Sequence, residues 1–430
     1  MFKISKKFQI YPFFVLGILV SSSVYADTLE DALAKAYVHN IKLNNERVAM
    51  RISSDDVAIA RAGFFPQIDG FGSYNRGNNV GGSYSNSGSI GIRVNQRLFD
   101  GFVTQNLFLS AQIKLKAQRE YLRNAEQNLF LDVVTAYTNV YQARRVAELR
   151  KENLASLEEL VNSTKAKLDV GEAAGVDFAQ AQAAYAVAVS EFSLARSEVK
   201  SAEAVYQQVV GTEAADLEPP SGAKELPKSL DVGYRDSIAT HPTVLYAKYL
   251  ADASLYSVKA QEGALLPKID FSATTSYNRT YTSPELDHTS HSVGISLNVP
   301  IFEGGRTSAQ IRQSKARFEQ ASLQLELAKS NIKQAITSAW FQLESARASA
   351  EAYRKSVHAA EIAFKGRIQE NYVGQATLLD VLNSRTHLIG AQISLANAEK
   401  NVVIAGYNLQ SFVGKLTASY LGLENTQPAQ

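Results

Sequence analysis

The side chains able to do chemistry are few and scattered. The 430 residues hold six histidines: His39, His241, His288, His291, His358 and His387. Only Asp287-His288 and His291 lie close enough to propose a metal site. They fall between two strand patterns, where solvated loop residues are the plainer expectation. There is no cysteine, so disulfides, zinc–thiolate sites, iron–sulfur clusters and thiol nucleophiles are excluded. No G-x-x-x-x-G-K-[ST] phosphate loop occurs, and the serine-rich stretches show no paired His and Asp. Neither an enzyme nor a cofactor is expected. The formal charge of +2 gives no reason to expect nucleic-acid binding.

The more informative polar residues sit beside two turns. Val170-Gly171 and Val373-Gly374 each end a helical pattern, and glycine there permits φ > 0. Asp177 and Asp380 follow six residues later, where a carboxylate can accept N–H bonds as a helix N-cap. Asp380 and Asn383 lie three apart, on one helical face.

The elements that carry these turns come in two copies. Phe65-Pro66-Gln67-Ile68-Asp69 recurs 201 residues on as Leu266-Pro267-Lys268-Ile269-Asp270. Leu98-Phe99-Asp100-Gly101 recurs 203 residues on as Ile301-Phe302-Glu303-Gly304, and the same offset relates the two turns. Residues 27–213 and 229–414 are therefore expected to be two structural repeats. Residues 214–228 form a Pro-rich linker and 415–430 a short tail, expected near a mid-height joint. In the first repeat the pattern gives a helix over 28–62, a strand pair within 67–99, a long helix over 104–168 and a helix over 177–210. In the second it gives a helix, a strand pair within 267–302, a long helix over 307–371 and a helix over 380–413.

The strands alternate. Ile269, Phe271, Ala273 and Tyr277 share one face, and Asp270, Ser272, Thr274, Ser276 and Asn278 the other. Val293, Ile295, Leu297, Val299 and Ile301 likewise oppose Ser292, Gly294, Ser296 and Asn298. Such alternation fits either a sheet on a core or a barrel with lipid outside and a polar lumen. The long helices follow a seven-residue repeat: Val133, Val140, Ala147, Leu154, Val161 and Leu168, then Ile336, Leu343, Ala350, Val357 and Phe364. In 177–210 the seam steps by four and three through Ala181, Tyr185, Ala188, Phe192, Ala195, Val199, Ala202, Tyr206 and Val209. These are coiled-coil periods, and periodicity alone names no activity. Trp340, matching Tyr137, is expected to pack.

Lys3, Lys6 and Lys7, the apolar stretch Phe8 to Val20 and Val24-Tyr25-Ala26 have the parts of a secretory signal peptide over residues 1–26. Nothing after Ala26 is apolar for long enough to be a transmembrane helix. Four strands cannot close a barrel, and lipid does not tolerate open edges. Three chains would supply 12 strands, an allowed number, around a lumen of roughly 24 Å backbone diameter. Long helices below would extend it as a tube of about 100 Å.

The layout resembles the TolC family of trimeric outer-membrane channel-tunnels, the outer membrane efflux proteins. The resemblance rests on Thr28-Leu29-Glu30-Asp31-Ala32-Leu33, Ala60 to Pro66, Ile301-Phe302-Glu303-Gly304-Gly305 and both turn segments, and covers essentially the whole mature chain. It implies an α+β membrane protein. In it a homotrimeric channel-tunnel has four strands per chain in a shared 12-stranded barrel above a coiled-coil helical barrel. It implies the outer membrane of a Gram-negative bacterium, with outer-membrane lipid around the barrel and the helices in the periplasm. It also implies two partners, a periplasmic adaptor docking at Val170, Gly171, Val373 and Gly374, and an inner-membrane transporter. An ABC exporter is favoured over a proton-driven pump, because the opening stretch looks most like the branch serving type I protein secretion. Multidrug efflux is the close alternative; a periplasmic coiled-coil adaptor is a further one, opposed by the duplication.

By the same resemblance Asp380 lines the closed aperture, Asn383 forms a second ring, Asp177 is the other hairpin's partner, and Tyr372 stands near the locking tyrosine. This chain departs from the family's best-known pattern. Asn383 replaces an acid, Ala376 replaces a constriction arginine, and Asn371 holds the locking position with Tyr372 displaced by one. The leader predicts a mature chain that starts at Asp27. Intact mass and N-terminal sequencing of membrane-extracted protein check this, and an intact Met1 would refute it.

Overall fold

The computed structural model describes residues 27–78, 84–282 and 287–423. The expected leader and the end of the tail lie outside the described residues. In chain order the elements are α1 (Leu29–His39), α2 (Ile41–Ala62), β1 (Gln67–Asn78), β2 (Tyr84–Phe99), α3 (Val103–Asp169), α4 (Gly175–Val210), α5 (Leu230–Thr240), α6 (Pro242–Gly263), β3 (Lys268–Thr280), β4 (His288–Asn298), α7 (Arg306–Tyr372) and α8 (Leu378–Phe412).

The single opening helix expected in each repeat is in fact two. In the first repeat the break is at Asn40, with extended backbone at φ −66° and ψ 123°. Its Oδ1 accepts the Leu43 N–H at 3.1 Å and its Nδ2 donates to the Val209 carbonyl at 2.8 Å. One side chain thus caps α2 and ties it to the end of α4. In the second repeat His241 does the capping, with Nδ1 accepting the Thr243 N–H at 3.1 Å, and Pro242 opens α6. A second correction concerns β4, which ends at Asn298, so Val299 and Ile301 leave the ladder. Pro300 has no N–H to extend it.

Packing sorts the helices into four columns. α3 lies between α2 and α4 on one side and α6 and α8 on the other; α7 covers α6 and α8. The 22 residues of α2 and 36 of α4, end to end, nearly match the 67 of α3. α1 and α5 fold aside at mid-height. Every seam residue foreseen in α4, and every heptad position named in α3 and α7, is buried or half-buried. The largest core sits at the joint, where Leu29, Leu33, Tyr37, Phe130, Val133, Tyr137 and Tyr206 meet Leu416, Ala418 and Leu423 of the tail. The Tyr137 hydroxyl shares its proton between the carbonyls of Asp27 at 2.7 Å and Glu218 at 2.8 Å, pinning the segment before α1 and the linker to α3. Trp340 packs beside Ile336 and Leu409.

The sheet runs β1-β2-β3-β4, antiparallel throughout. A bulge between Arg97 and Phe99 leaves Leu98 unpaired and turns Phe99 toward Ile269's face. The duplicated acid–glycine pair then starts each long helix. Asp100 accepts the Thr104 N–H at 2.9 Å and the Thr104 hydroxyl at 2.5 Å, and Glu303 accepts the Thr307 hydroxyl and Arg306. Gly101 has φ +71°, and a Cβ on it would fall 2.1 Å from the Gly263 carbonyl, so both the conformation and the close approach demand glycine.

His241 is 4% exposed. Burial, with Arg123 adding to it, pushes its pKa down to about 4 from 6.5. Above pH 6.5 both folded and unfolded imidazole are neutral. Between 6.5 and about 4 only the unfolded chain takes up the proton, so the joint loses on the order of 3 kcal/mol over that window and no more below it. His241→Asn, copying Asn40, keeps a cap and removes the titration. Amide exchange around 237–245 at pH 7 and pH 4.5 should accelerate in acid for the natural chain and far less for the variant.

Candidate functional site

Two helical tips and one sheet face carry exposed large apolar side chains. At the tips the same loop is built twice. Gly171 at φ +78° donates to the Leu168 carbonyl at 3.0 Å, and the Glu172 N–H reaches Lys167 at 2.8 Å. Gly374 at φ +81° donates to Asn371 at 3.1 Å, and Gln375 to Glu370 at 2.8 Å. Both are glycine-ended Schellman turns. Nothing lies within 4 Å of a Cβ at either glycine, so φ alone requires them. Val170 is 71% and Tyr372 is 88% exposed, and Val373 and Leu379 are exposed too.

The expected N-caps need correction. Asp380 is the third residue of α8, and the cap is Thr377. The Thr377 hydroxyl accepts the Asp380 N–H at 3.2 Å, while Asp380 Oδ2 accepts the Thr377 N–H at 3.0 Å and the Thr377 hydroxyl at 2.7 Å. This is a capping box. The Thr377 hydroxyl, then its N–H, hold the Asp380 carboxyl below the usual carboxylate range, so it stays ionised near neutral pH. Asp177 holds the matching third position of α4, but there the cap is Ala174, which offers no side-chain bond. Asn383 is exposed on the Asp380 face. Asn371 donates to the Ala376 carbonyl at 2.9 Å, so it braces its own turn.

Sequence reasoning missed what joins the two hairpins above their tips. The Arg385 Nε of α8 donates to Asn153 Oδ1 of α3 at 2.6 Å, and its guanidinium lies 5.7 Å from the Phe364 ring. Burial lowers the Arg385 pKa from its ordinary value. Below them Leu382 and Leu378 pack on Leu157, Ala188 and Tyr185. The Gln142 amide donates to Asn397 at 3.0 Å higher up. The signal was present: Asn153 interrupts the apolar run Val146, Leu149, Leu157, and a polar residue in a coiled-coil seam asks for a partner.

In the sheet, rows crossing all four strands alternate in character. Ile68, Val94, Ala273 and Val293 form one row. The next, Asp69, Arg93, Thr274 and Ser292, faces the other way. The apolar face is open to solvent in one chain, with Ile295 70% exposed and Ile68, Ile90, Ile92, Val293 and Leu297 also exposed. Tyr74, Tyr277 and Tyr281 stand at one end of this band, and Phe64, Phe65 and Phe102 at the other. β1 and β4 each have one unpaired edge. Among the described residues, no helix is long and apolar enough to cross a membrane, and no group of three or more His, Cys, Asp or Glu is placed to hold a metal. His288 and His291, expected in a loop, lie in β4, where His291 Nδ1 pairs with the Thr275 hydroxyl at 2.8 Å.

An apolar sheet band with aromatic ends, set on helices too polar to enter lipid, defines an outer-membrane channel-tunnel. The chain belongs to the outer membrane efflux protein family, whose profile matches residues 32–212 and 233–415, the two repeats. It is 45% identical to the outer membrane efflux protein BepC of Brucella suis biovar 1, over 95% of this chain and 90% of that one. It is 26% identical to the alkaline protease secretion protein AprF of Pseudomonas aeruginosa, over 85% of this chain and 80% of that one. Its fold is similar to the Campylobacter jejuni CmeC outer membrane channel, with TM-score 0.81 at 16% identity, over 90% of this chain and 85% of that one. The protein is thus an outer-membrane channel component reaching into the periplasm, and not an enzyme.

Thr377→Ala should cost the start of α8 about 1 kcal/mol. Amide exchange over 378–382 should quicken several-fold in the variant, while the Ala174-capped start of α4 is unaffected.

Proposed function

We propose that this chain is the passive exit duct of a tripartite export system, three copies closing one barrel and one helical tube. The observation that carries this is the sheet, lipid-compatible on one face and unpaired at both edges. The helical layer is open at matching edges. Ile52 and Ile59 on α2, with Val187 and Leu194 on α4, are exposed seven residues apart, and Leu327 and Phe341 are exposed on α7. Such stripes suit helix packing against a neighbouring copy.

In this reading Asp380 and Asp177 line the aperture at the closed end, with Asn383 as an uncharged second ring and Tyr372 exposed at the rim. The apolar tips at Val170, Gly171, Val373 and Gly374 offer the adaptor its docking points, and energy comes from an inner-membrane transporter. For cargo we assign type I protein secretion with an ABC exporter, supported by the opening stretch and by a relative named for protease secretion. Small-molecule efflux is the second reading, favoured by the more similar relative, which is named an efflux protein. Deleting the gene and measuring both secreted protein and drug susceptibility separates the two.

Three inward carboxylates favour cations. Reconstituted in planar lipid films, the protein should conduct with cation preference, and Asp380→Ala should weaken that preference. Unchanged selectivity would remove Asp380 from the aperture.

A further inference from the structure

The lumen-facing side of the sheet holds a charged group that nothing above uses. Phe71 of β1 turns inward, level with Gly91 of β2 and Ser276 of β3. A Cβ on Gly91 would meet the Phe71 ring at 2.8 Å and the Thr275 carbonyl at 2.4 Å. The ring therefore lies across the glycine, against the wall. The Arg93 guanidinium sits over that ring, 5.0 Å from its centroid. Asp69 is Arg93's cross-strand partner in register, yet among the described residues no ion pair forms between them. Among the described residues of the sheet, the other charges on this face are spoken for or remote. Arg97 pairs with Asp270 at 3.3 Å, Lys268 lies near Glu303 at the periplasmic end, and His288 is at the opposite end of β4.

We infer that Arg93, held on Phe71, forms a cationic ring inside the barrel that attracts the carboxylates or phosphates of passing cargo. This rests on the duct reading above. The Asp69 carboxylate is short and stays at the wall, whereas the Arg93 guanidinium lies over a ring that itself covers the wall at Gly91, so a passing anion meets the cation first. Three copies at one height give the channel a second charged step, opposite in sign to the carboxylates at Asp380. A lumen of roughly 24 Å puts its axis about one Debye length from the wall at 0.1 M salt and several lengths away at 1 M. The ring acts strongly only in dilute salt.

The test is the K⁺/Cl⁻ permeability ratio of the reconstituted full chain in planar lipid films under a KCl gradient. Near 0.05 M salt Arg93→Gln should shift the ratio toward cations by about twofold or more, Arg93→Glu further, and Arg93→Lys little; near 1 M the differences should shrink. Arg279→Gln removes the same charge from the opposite, lipid-facing side, and should leave the ratio where it was. A ratio unmoved by Arg93→Gln and Arg93→Glu would overturn the ring, as would an equal shift from Arg279→Gln. A natural chain that leaves the film non-conducting would overturn the duct reading, and the ring with it.

Discussion

Everything in this molecule answers to one shortage of hydrogen bonds. A four-stranded sheet leaves one edge of β1 and one of β4 unpaired. In water those groups would be solvated at small cost, but its apolar face requires lipid, where an unpaired peptide group costs several kcal/mol. The sheet is too narrow to curl onto itself. It must find strands from identical copies, and closure leaves a lumen too wide for side chains to fill. The hollow comes from that closure and needs no residue dedicated to making it.

The duplication explains how the same chain supplies both barrel and tube, and where it departs from symmetry it becomes informative. Asn40 and His241 occupy equivalent breaks, yet only Asn40 also ties to the neighbouring helix end. Thr377 caps one hairpin's return helix while Ala174 leaves the other uncapped. The second hairpin is therefore the more firmly drawn, with Asp380 fixed by two bonds from Thr377. Arg385 and Leu382 fasten it to the first repeat through Asn153 and Leu157.

Much of this was legible because long-period signals are redundant. Five to nine seam positions vote on each helix, so its register survives any single exception, and the 203-residue offset fixes the second half from the first. What stayed hidden depends on single side chains. The breaks at Asn40 and His241 interrupt helices whose flanking residues keep a helical period, and only Pro242 announced one of them. Asp380 was expected at the cap when Thr377, three residues earlier, completes the capping box. The Arg385–Asn153 bond joins residues far apart in sequence, which no local pattern can pair. The aperture proposed at Asp380 rests on resemblance alone, because a ring of three carboxylates exists only between chains.

Closure requires β1 of one copy to pair with β4 of the next. The chain has no cysteine, so an introduced pair reports alone. Ser73→Cys on β1, combined in turn with Ser290→Cys, Ser292→Cys or Ser296→Cys on β4, should under oxidation give at least one disulfide between chains, with a ladder that stops at three. Products confined to single chains, or a ladder running past three, would contradict the account.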